Sequence, residues 1–328
     1  MTRAASWACA AALVCAGCAT IGDETAFPAP VESGIGPFRL LDADETSVSA
    51  TPEGRVIPAA GAFGRTMRFE QTLIYAMAEV LSEPPDRNGD LPDFVIDPAQ
   101  TGPNRIFALD VGAFDGGSGG EVAFEADADW QGGEVFDPWL LRDAGGDLAL
   151  YFAGAGGIGV TRGSLGAFGL STLILEDARS PSVVTLAGTT YLFFERDGAV
   201  GVATLDGDTA NVLQHPLDLG DAPGTVAETA QLRPGAVVAE SALERRAIWL
   251  YFESRFEDGT SAISVSATAD AVSFDRSEEV LVDAPNAGEP CPVRADGITL
   301  LYGTHAFRSS GTQRRVPFGA LAPLRTQR

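Results

Sequence analysis

Pro181-Ser-Val-Val-Thr-Leu-Ala-Gly188, followed by Tyr191-Leu-Phe-Phe-Glu195 and Ala199-Val-Gly-Val-Ala203, holds the organisation of the whole chain in miniature. Three short apolar runs, rich in β-branched and aromatic residues, are separated by Ala-Gly and Asp-Gly pairs, the pattern of strands joined by tight turns. The module returns as Pro234-Gly-Ala-Val-Val-Ala-Glu240, Trp249-Leu-Tyr-Phe-Glu253 and Ala262-Ile-Ser-Val-Ser266, and part of it as Leu148 to Ala153 and Gly157-Ile-Gly-Val-Thr161. Working outward, the five tyrosines mark five copies. Tyr75, Tyr151, Tyr191, Tyr251 and Tyr302 follow Pro58, Pro138, Pro181, Pro234 and Pro292 by 10 to 17 residues.

Three or four strands repeated five times predict an all-β, five-bladed β-propeller over residues 38–328, its blades packed around an axis. A β-sandwich, the alternative all-β architecture, has no need of the same proline-to-tyrosine module five times. The long interval from Tyr75 to Tyr151 leaves room for an insertion around residues 82–130 or for an extra blade, with five the best count. The Leu, Met and Ala content of Phe69 to Leu81 would suit a helix, but the repeat assigns this segment to a strand.

The N-terminus carries Arg3, an apolar stretch from Ala4 to Val14, and then Cys15-Ala-Gly-Cys18, the layout of an export signal. The apolar run is too short to span a bilayer stably. Small residues before Cys18 resemble the lipobox of bacterial lipoproteins, which implies cleavage after residue 17, lipidation of Cys18 and a membrane anchor. Cys15 stands where that family usually has Leu. Ala19 and Thr20 after the cysteine, with no Asp, imply an outer-membrane lipoprotein of the cell envelope. Residues 18–37, rich in Pro, Gly, Ala and acids, read as a flexible tether.

Composition excludes several kinds of chemistry. All 22 basic residues are Arg, so Schiff-base, P-loop and Ser-Lys chemistries are absent, and two histidines cannot build a multi-histidine zinc site. The formal charge is −23, and loss of residues 1–17 makes the chain one unit more acidic. Such a chain repels phosphate backbones, so nucleic acid is not an expected partner. Cys9 and Cys15 leave with the signal and Cys18 is acylated, so Cys291 alone remains and no disulfide framework is available.

A first-strand X-Pro, a Tyr-aromatic second strand and a Gly-Val-Ala-Thr type third strand together resemble the five-bladed arabinanase, xylosidase and β-fructosidase superfamily of glycoside hydrolases, over most of residues 50–328. The resemblance implies carbohydrate as the ligand. It also implies acids near the start of the inner strands of the first three blades, serving as general base, pKa-tuning Asp and general acid in one axial funnel. The residues before the marker prolines are Ile57, Asp137, Ser180, Arg233 and, in the last copy, Glu289 before Pro290 with Cys291 before Pro292. Only Asp137, in Phe-Asp-Pro-Trp, fits that acid set directly, and it would equally cap a turn before Pro138. The catalytic set is therefore expected to be incomplete, and the fold to bind sugar at a site where Asp137, Arg233 and Glu289 converge. The other readings are an active glycosidase using Asp137 and a Glu, and a non-catalytic surface scaffold or adhesion module.

Further candidates surround this set. Glu289, in Gly-Glu-Pro-Cys-Pro, resembles the Glu-Cys-Pro acid motif of fructosidases with Pro290 inserted, and is the best remaining proton donor. Glu79, Glu195 and Glu253 fall two or four residues after their tyrosines, hence on one strand face; they form a constellation at the axis, or each sits at a strand end, solvated or paired with Arg196 or Arg255. Trp130 and Trp139 suit stacking on a sugar ring or packing between blades. His305 lies where the resembling enzymes place a histidine near an axial metal, or is an ordinary strand residue. Asp86, Asn88, Asp90 and Asp93, in Asp-Arg-Asn-Gly-Asp-Leu-Pro-Asp, supply alternate oxygen ligands around a glycine, as a structural calcium loop requires. An acidic surface turn fits them as well.

Overall fold

The computed structural model describes residues 38–40, 62–70, 72–80, 101–110, 120–143, 145–240, 246–277, 281–282, 286–295, 298–309 and 312–321. Among them, all regular structure is strand apart from a single 3-10 turn at Asp129–Gln131. In chain order the strands are β1 (Arg39–Leu40), β2 (Ala62–Phe69), β3 (Thr72–Val80), β4 (Thr101–Asp110), β5 (Glu121–Phe124), β6 (Phe136–Arg142), β7 (Leu148–Gly154), β8 (Gly157–Ser164), β9 (Ala167–Phe168) and β10 (Thr172–Glu176). They continue as β11 (Arg179–Leu186), β12 (Thr189–Arg196), β13 (Ala199–Asp206), β14 (Thr209–Gln214), β15 (Glu228–Glu240), β16 (Arg246–Phe256), β17 (Ser261–Thr268), β18 (Asp275–Arg276), β19 (Gly288–Ala295), β20 (Ile298–Ser309) and β21 (Thr312–Leu321).

The described strands group into five antiparallel sheets: β2 to β5, β6 to β10, β11 to β14, β15 to β18, and β19 to β21 completed on its outer edge by β1. The first strand of each sheet touches the first strand of the next, β2 against β6, β6 against β11, β11 against β15, β15 against β19, and β19 against β2. The architecture is an all-β propeller. Pairing of β1 with β21, Arg39 opposite Leu321, joins the two ends of the described chain in one sheet, and Phe38 N donates to Leu281 O at 2.6 Å.

Burial on both sheet faces accounts for the apolar runs in the sequence. On β16, Trp249 and Tyr251 pack with Leu301, Leu281 and Phe38 of the last sheet's side, while Ile248, Leu250 and Phe252 pack with Val184, Phe193 and Val202 of the third sheet. On β12, Phe193 faces that fourth sheet, while Leu192 and Phe194 face the second. Each side chain of this size that is taken fully out of water contributes about 1.5–3 kcal/mol.

Pairing registers correct three expectations. Trp139 lies opposite Tyr151, Gly235 opposite Tyr251, Cys291 opposite Tyr302 and Thr66 opposite Tyr75, but in the third sheet the partner of Ser182 is Phe193, so Tyr191 is two residues out of the series. A slip of two residues keeps the face of every side chain, so alternation cannot expose it. Pro58 and Ile57 lie outside the described residues, and the first-sheet counterpart of the X-Pro pair is Gly64-Arg65. Within the expected insertion at 82–130, β4 and β5 are the third and fourth strands of the first sheet. Phe69 to Leu81 contains β3, a strand as the repeat predicts.

Candidate ligand-binding site at the axis

Every innermost strand carries a register shift at the same point: between Phe63 and Thr66, Phe136 and Trp139, Arg179 and Ser182, Leu232 and Gly235, and Gly288 and Cys291. In four of the five sheets the residue at the bulge is a non-glycine in the left-handed region, Asp137 (φ 48°), Ser180 (φ 52°), Arg233 (φ 54°) and Glu289 (φ 54°), each followed by proline. Left-handed backbone costs such residues roughly 1–2 kcal/mol, and proline disfavours a helical conformation in the residue before it. The surrounding sheets hold these conformations, and the bulges turn the four side chains towards one another.

The structure brings together the residues that the sequence nominated here. Ser180 Oγ donates to Asp137 Oδ2 at 2.9 Å, and Arg233 Nη1 donates to Glu289 Oε1 and lies 3.5 Å from Glu253 Oε2. Burial alone would pull the Arg233 guanidinium pKa down, but the charges of Glu289, Glu253, Asp137 and Glu195 outweigh it and hold the pKa above its ordinary value. Its Nε and Nη2 have no partner among the described residues, and the side chain is 29% exposed.

Glu195 and Glu253 do not line an open funnel as a catalytic constellation would. They are 1% and 0% exposed. Each accepts, through Oε2, the backbone N–H of the bulge residue in the following sheet: Glu195 that of Arg233 at 3.2 Å, and Glu253 that of Glu289 at 3.3 Å. Their other oxygens are held by Arg179 and Arg255, the former in place of the expected Arg196, which donates to Glu176 O and lies over the Phe194 ring. Glu79 is not their equivalent, because the register puts Met77 in that position of the first sheet and Ala153 in the second.

One residue beyond the bulges, the axis is filled by Arg65, a residue that sequence reading overlooked. Its guanidinium donates to the carbonyls of Pro181 (2.8 Å), Pro234 and Pro290 (3.0 Å), spanning three other sheets, and stacks 4.9 Å from the Trp139 ring centre. It is 2% exposed. Trp139 is therefore not a stacking platform: it is buried, with Nε1 donating to Val183 O at 2.8 Å. Trp130 stacks on Phe152 between strands. The inner strands come so close here that a Cβ on Gly235 would lie 2.3 Å from Pro290 O. Cys291 is buried beside them, and burial pushes its thiol up to about 11.

His305 lies on β20 with its backbone opposite Val316, and its side chain is outside the described residues. So are Cys18, the 1–17 signal, the 18–37 tether, and the loop of Asp86, Asn88, Asp90 and Asp93. Among the described residues, no group of three or more His, Cys, Asp or Glu is arranged to hold a metal ion.

No protein-family model matches the chain, and comparison with curated proteins finds no significant relative. Solved structures do resemble it. An exo-1,5-α-L-arabinanase from a bovine ruminal metagenomic library superposes with a TM-score of 0.51 at 10% identity, over 78% of this chain and 90% of that one. The catalytic domain of an α-L-arabinofuranosidase from Coprinopsis cinerea gives 0.52 at 9% identity, over 82% and 94%. An endo-1,4-β-xylanase from Bacteroides thetaiotaomicron gives 0.50 at 13% identity, over 79% and 92%. At such identities the likeness is one of fold, and the chain has the β-propeller fold of these enzymes.

Proposed function

We propose that this chain is a five-bladed propeller that binds carbohydrate at its axial mouth without hydrolysing it, exported and anchored to the outer membrane through Cys18. Five blades are supported by the cycle of contacts between the five innermost strands. Carbohydrate is supported by the fold shared with an arabinanase, an arabinofuranosidase and a xylanase.

The observation that carries the non-hydrolytic reading is the identity of the bulge residues. Hydrolysis needs two carboxyl groups across the glycosidic bond, one of them protonated. In the first three sheets the three positions hold Gly64, Asp137 and Ser180, so one carboxyl stands where the resemblance implies three. Glu289, the remaining candidate donor, already has its Oε1 held by the Arg233 guanidinium. What remains at the mouth is suited to binding: Asp137 accepts from hydroxyls, and the open nitrogens of Arg233 donate to ring and hydroxyl oxygens.

Calorimetric titration with arabinan, xylan and fructan oligosaccharides tests this reading. Wild type should bind at least one of them, and Asp137→Ala or Glu289→Ala should weaken binding tenfold or more, equivalent to about 1.4 kcal/mol. Absence of binding by wild type across the panel would favour the scaffold reading instead.

A further inference from the structure

Beside the axial cluster, on the same end of the sheets, a pocket of about 350 Å³ opens between the fourth sheet and the segment leading into β19. Its wall includes Thr229 of β15, Arg255 and Phe256 at the end of β16, Thr260 and Ser261 where β17 begins, and Asn286. That volume is at the lower end of the range of about 300–1,000 Å³ usual for small-molecule sites.

The polar atoms of the wall divide cleanly by hydrogen-bonding role. Each hydroxyl has already used its one hydrogen: Thr229 Oγ1 donates to Arg255 O (3.2 Å), Thr260 Oγ1 to Asp258 Oδ1 (2.6 Å) and Ser261 Oγ to Ala287 O (3.2 Å). These hydroxyls can offer a ligand only lone pairs. Open donors come from two other residues. Arg255 is fixed through Nε to Glu253 Oε1 at 2.9 Å, is 45% exposed, and has no partner for Nη1 or Nη2 among the described residues. Asn286 accepts through Oδ1 from Ser261 N at 3.0 Å, which turns its Nδ2 donor to other partners. A guanidinium held by one edge presents its outer edge as a planar fork that matches a carboxylate.

We infer that this pocket is a subsite for a sugar acid, a hexuronate, whose carboxylate takes the outer edge of Arg255 and the Asn286 amide while its hydroxyls donate to Thr229, Thr260 and Ser261. Phe256 supplies an apolar wall for the ring. The inference rests on the carbohydrate reading of this face and extends it, because the axial mouth and the pocket share Glu253, which joins Arg255 on one oxygen to Arg233 and the Glu289 backbone on the other. The two sites thus form neighbouring positions for a chain that carries acidic units.

The test is a set of NMR and calorimetric titrations of the intact protein with glucuronate, glucose, inorganic phosphate and a neutral xylo-oligosaccharide. Glucuronate should bind at least tenfold more tightly than either glucose or phosphate. Arg255→Gln and Thr229→Trp should each weaken glucuronate at least tenfold. Thr229→Trp fills the pocket from an exposed position and leaves the Arg255–Glu253 pair intact, so its loss of binding cannot be assigned to a disturbed core; it should leave the xylo-oligosaccharide isotherm unchanged. Equal affinity for glucuronate and glucose, phosphate binding as tight as glucuronate, or undiminished glucuronate binding by Thr229→Trp would each overturn the proposal. Binding of a neutral arabinan, xylan or fructan oligosaccharide without glucuronate binding would sink the pocket and spare the axial reading, whereas glucuronate binding with none of those neutral oligosaccharides bound would sustain the pocket and sink the axial reading.

Discussion

Arg65 shows what one side chain does at the point where five strands meet. Four innermost strands place proline after the bulge, and the fifth places an arginine whose guanidinium is shared among three proline carbonyls. Those prolines fall in the register gaps of their strands, where the ladder is interrupted and a side-chain donor can take its place. Arg65→Met keeps the apolar stem and removes the donors. Leaving buried acceptors unmet costs roughly 1–3 kcal/mol each, so the variant should lose about 4 kcal/mol in urea unfolding. A loss below about 1 kcal/mol would show that the axis does not need the guanidinium. Nothing in the sequence marks Arg65, because it occupies a proline position in a copy whose nearest preceding proline, Pro58, stands seven residues earlier. Asp137, Arg233 and Glu289 were legible because each precedes a proline in a repeated module, and the bulge they share is what turns them to the axis.

At the scale of the strand and its neighbours, the buried glutamates explain how bulges in consecutive sheets are held in register with one another. Glu195 and Glu253 each reach from a second strand to the backbone of the next sheet's first strand. Their apolar surroundings gave no hint of this, since a strand-terminal Glu beside an Arg reads as a solvated pair. A second ion pair locks the outer part of the fourth sheet. Arg276 on β18 donates to both oxygens of Glu228, at 2.8 and 3.0 Å, and to Ser254 and Ser264. Burial acts to raise the Glu228 pKa, but the hydrogen bonds from Arg276, Ser254 and Gln231 outweigh it and hold the carboxyl below its ordinary 4.5. A carboxyl whose pKa is depressed on folding contributes stability above its unfolded value and loses it as pH falls through the lower folded value. Thermal melts between pH 7 and pH 3 should therefore show Glu228→Gln less stable than wild type by about 3 kcal/mol at neutral pH, the scale of breaking a buried pair. The gap should close on acidification below pH 4. Parallel curves for the two proteins would contradict this assignment.

For the molecule as a whole, repetition in the sequence was enough to read an all-β propeller, because apolar three-strand modules that bury both faces need neighbours on each side. The third and fourth strands of the first sheet fall where the sequence predicts an insertion, since β4 contains Pro103, Asn104 and Arg105 and does not match the Gly-Val-Ala-Thr pattern of its counterparts. Ring closure through β1 was invisible for a different reason: two residues carry too little pattern to be read as a strand, and only pairing with β21 defines them. The candidate cluster was legible as residues that precede the repeated prolines, but the sequence says nothing of the pairing of Ser180 with Asp137 and of Arg233 with Glu289. That paired, non-hydrolytic state is the central claim, and product release reports on it most directly. Wild-type protein incubated with arabinan, xylan and fructan oligosaccharides, over times long enough to detect a few turnovers, should release no sugar from a ligand that calorimetry shows to be bound. Sustained release by wild type, abolished by Asp137→Ala or Glu289→Ala, would contradict the account and make the axis a working hydrolase.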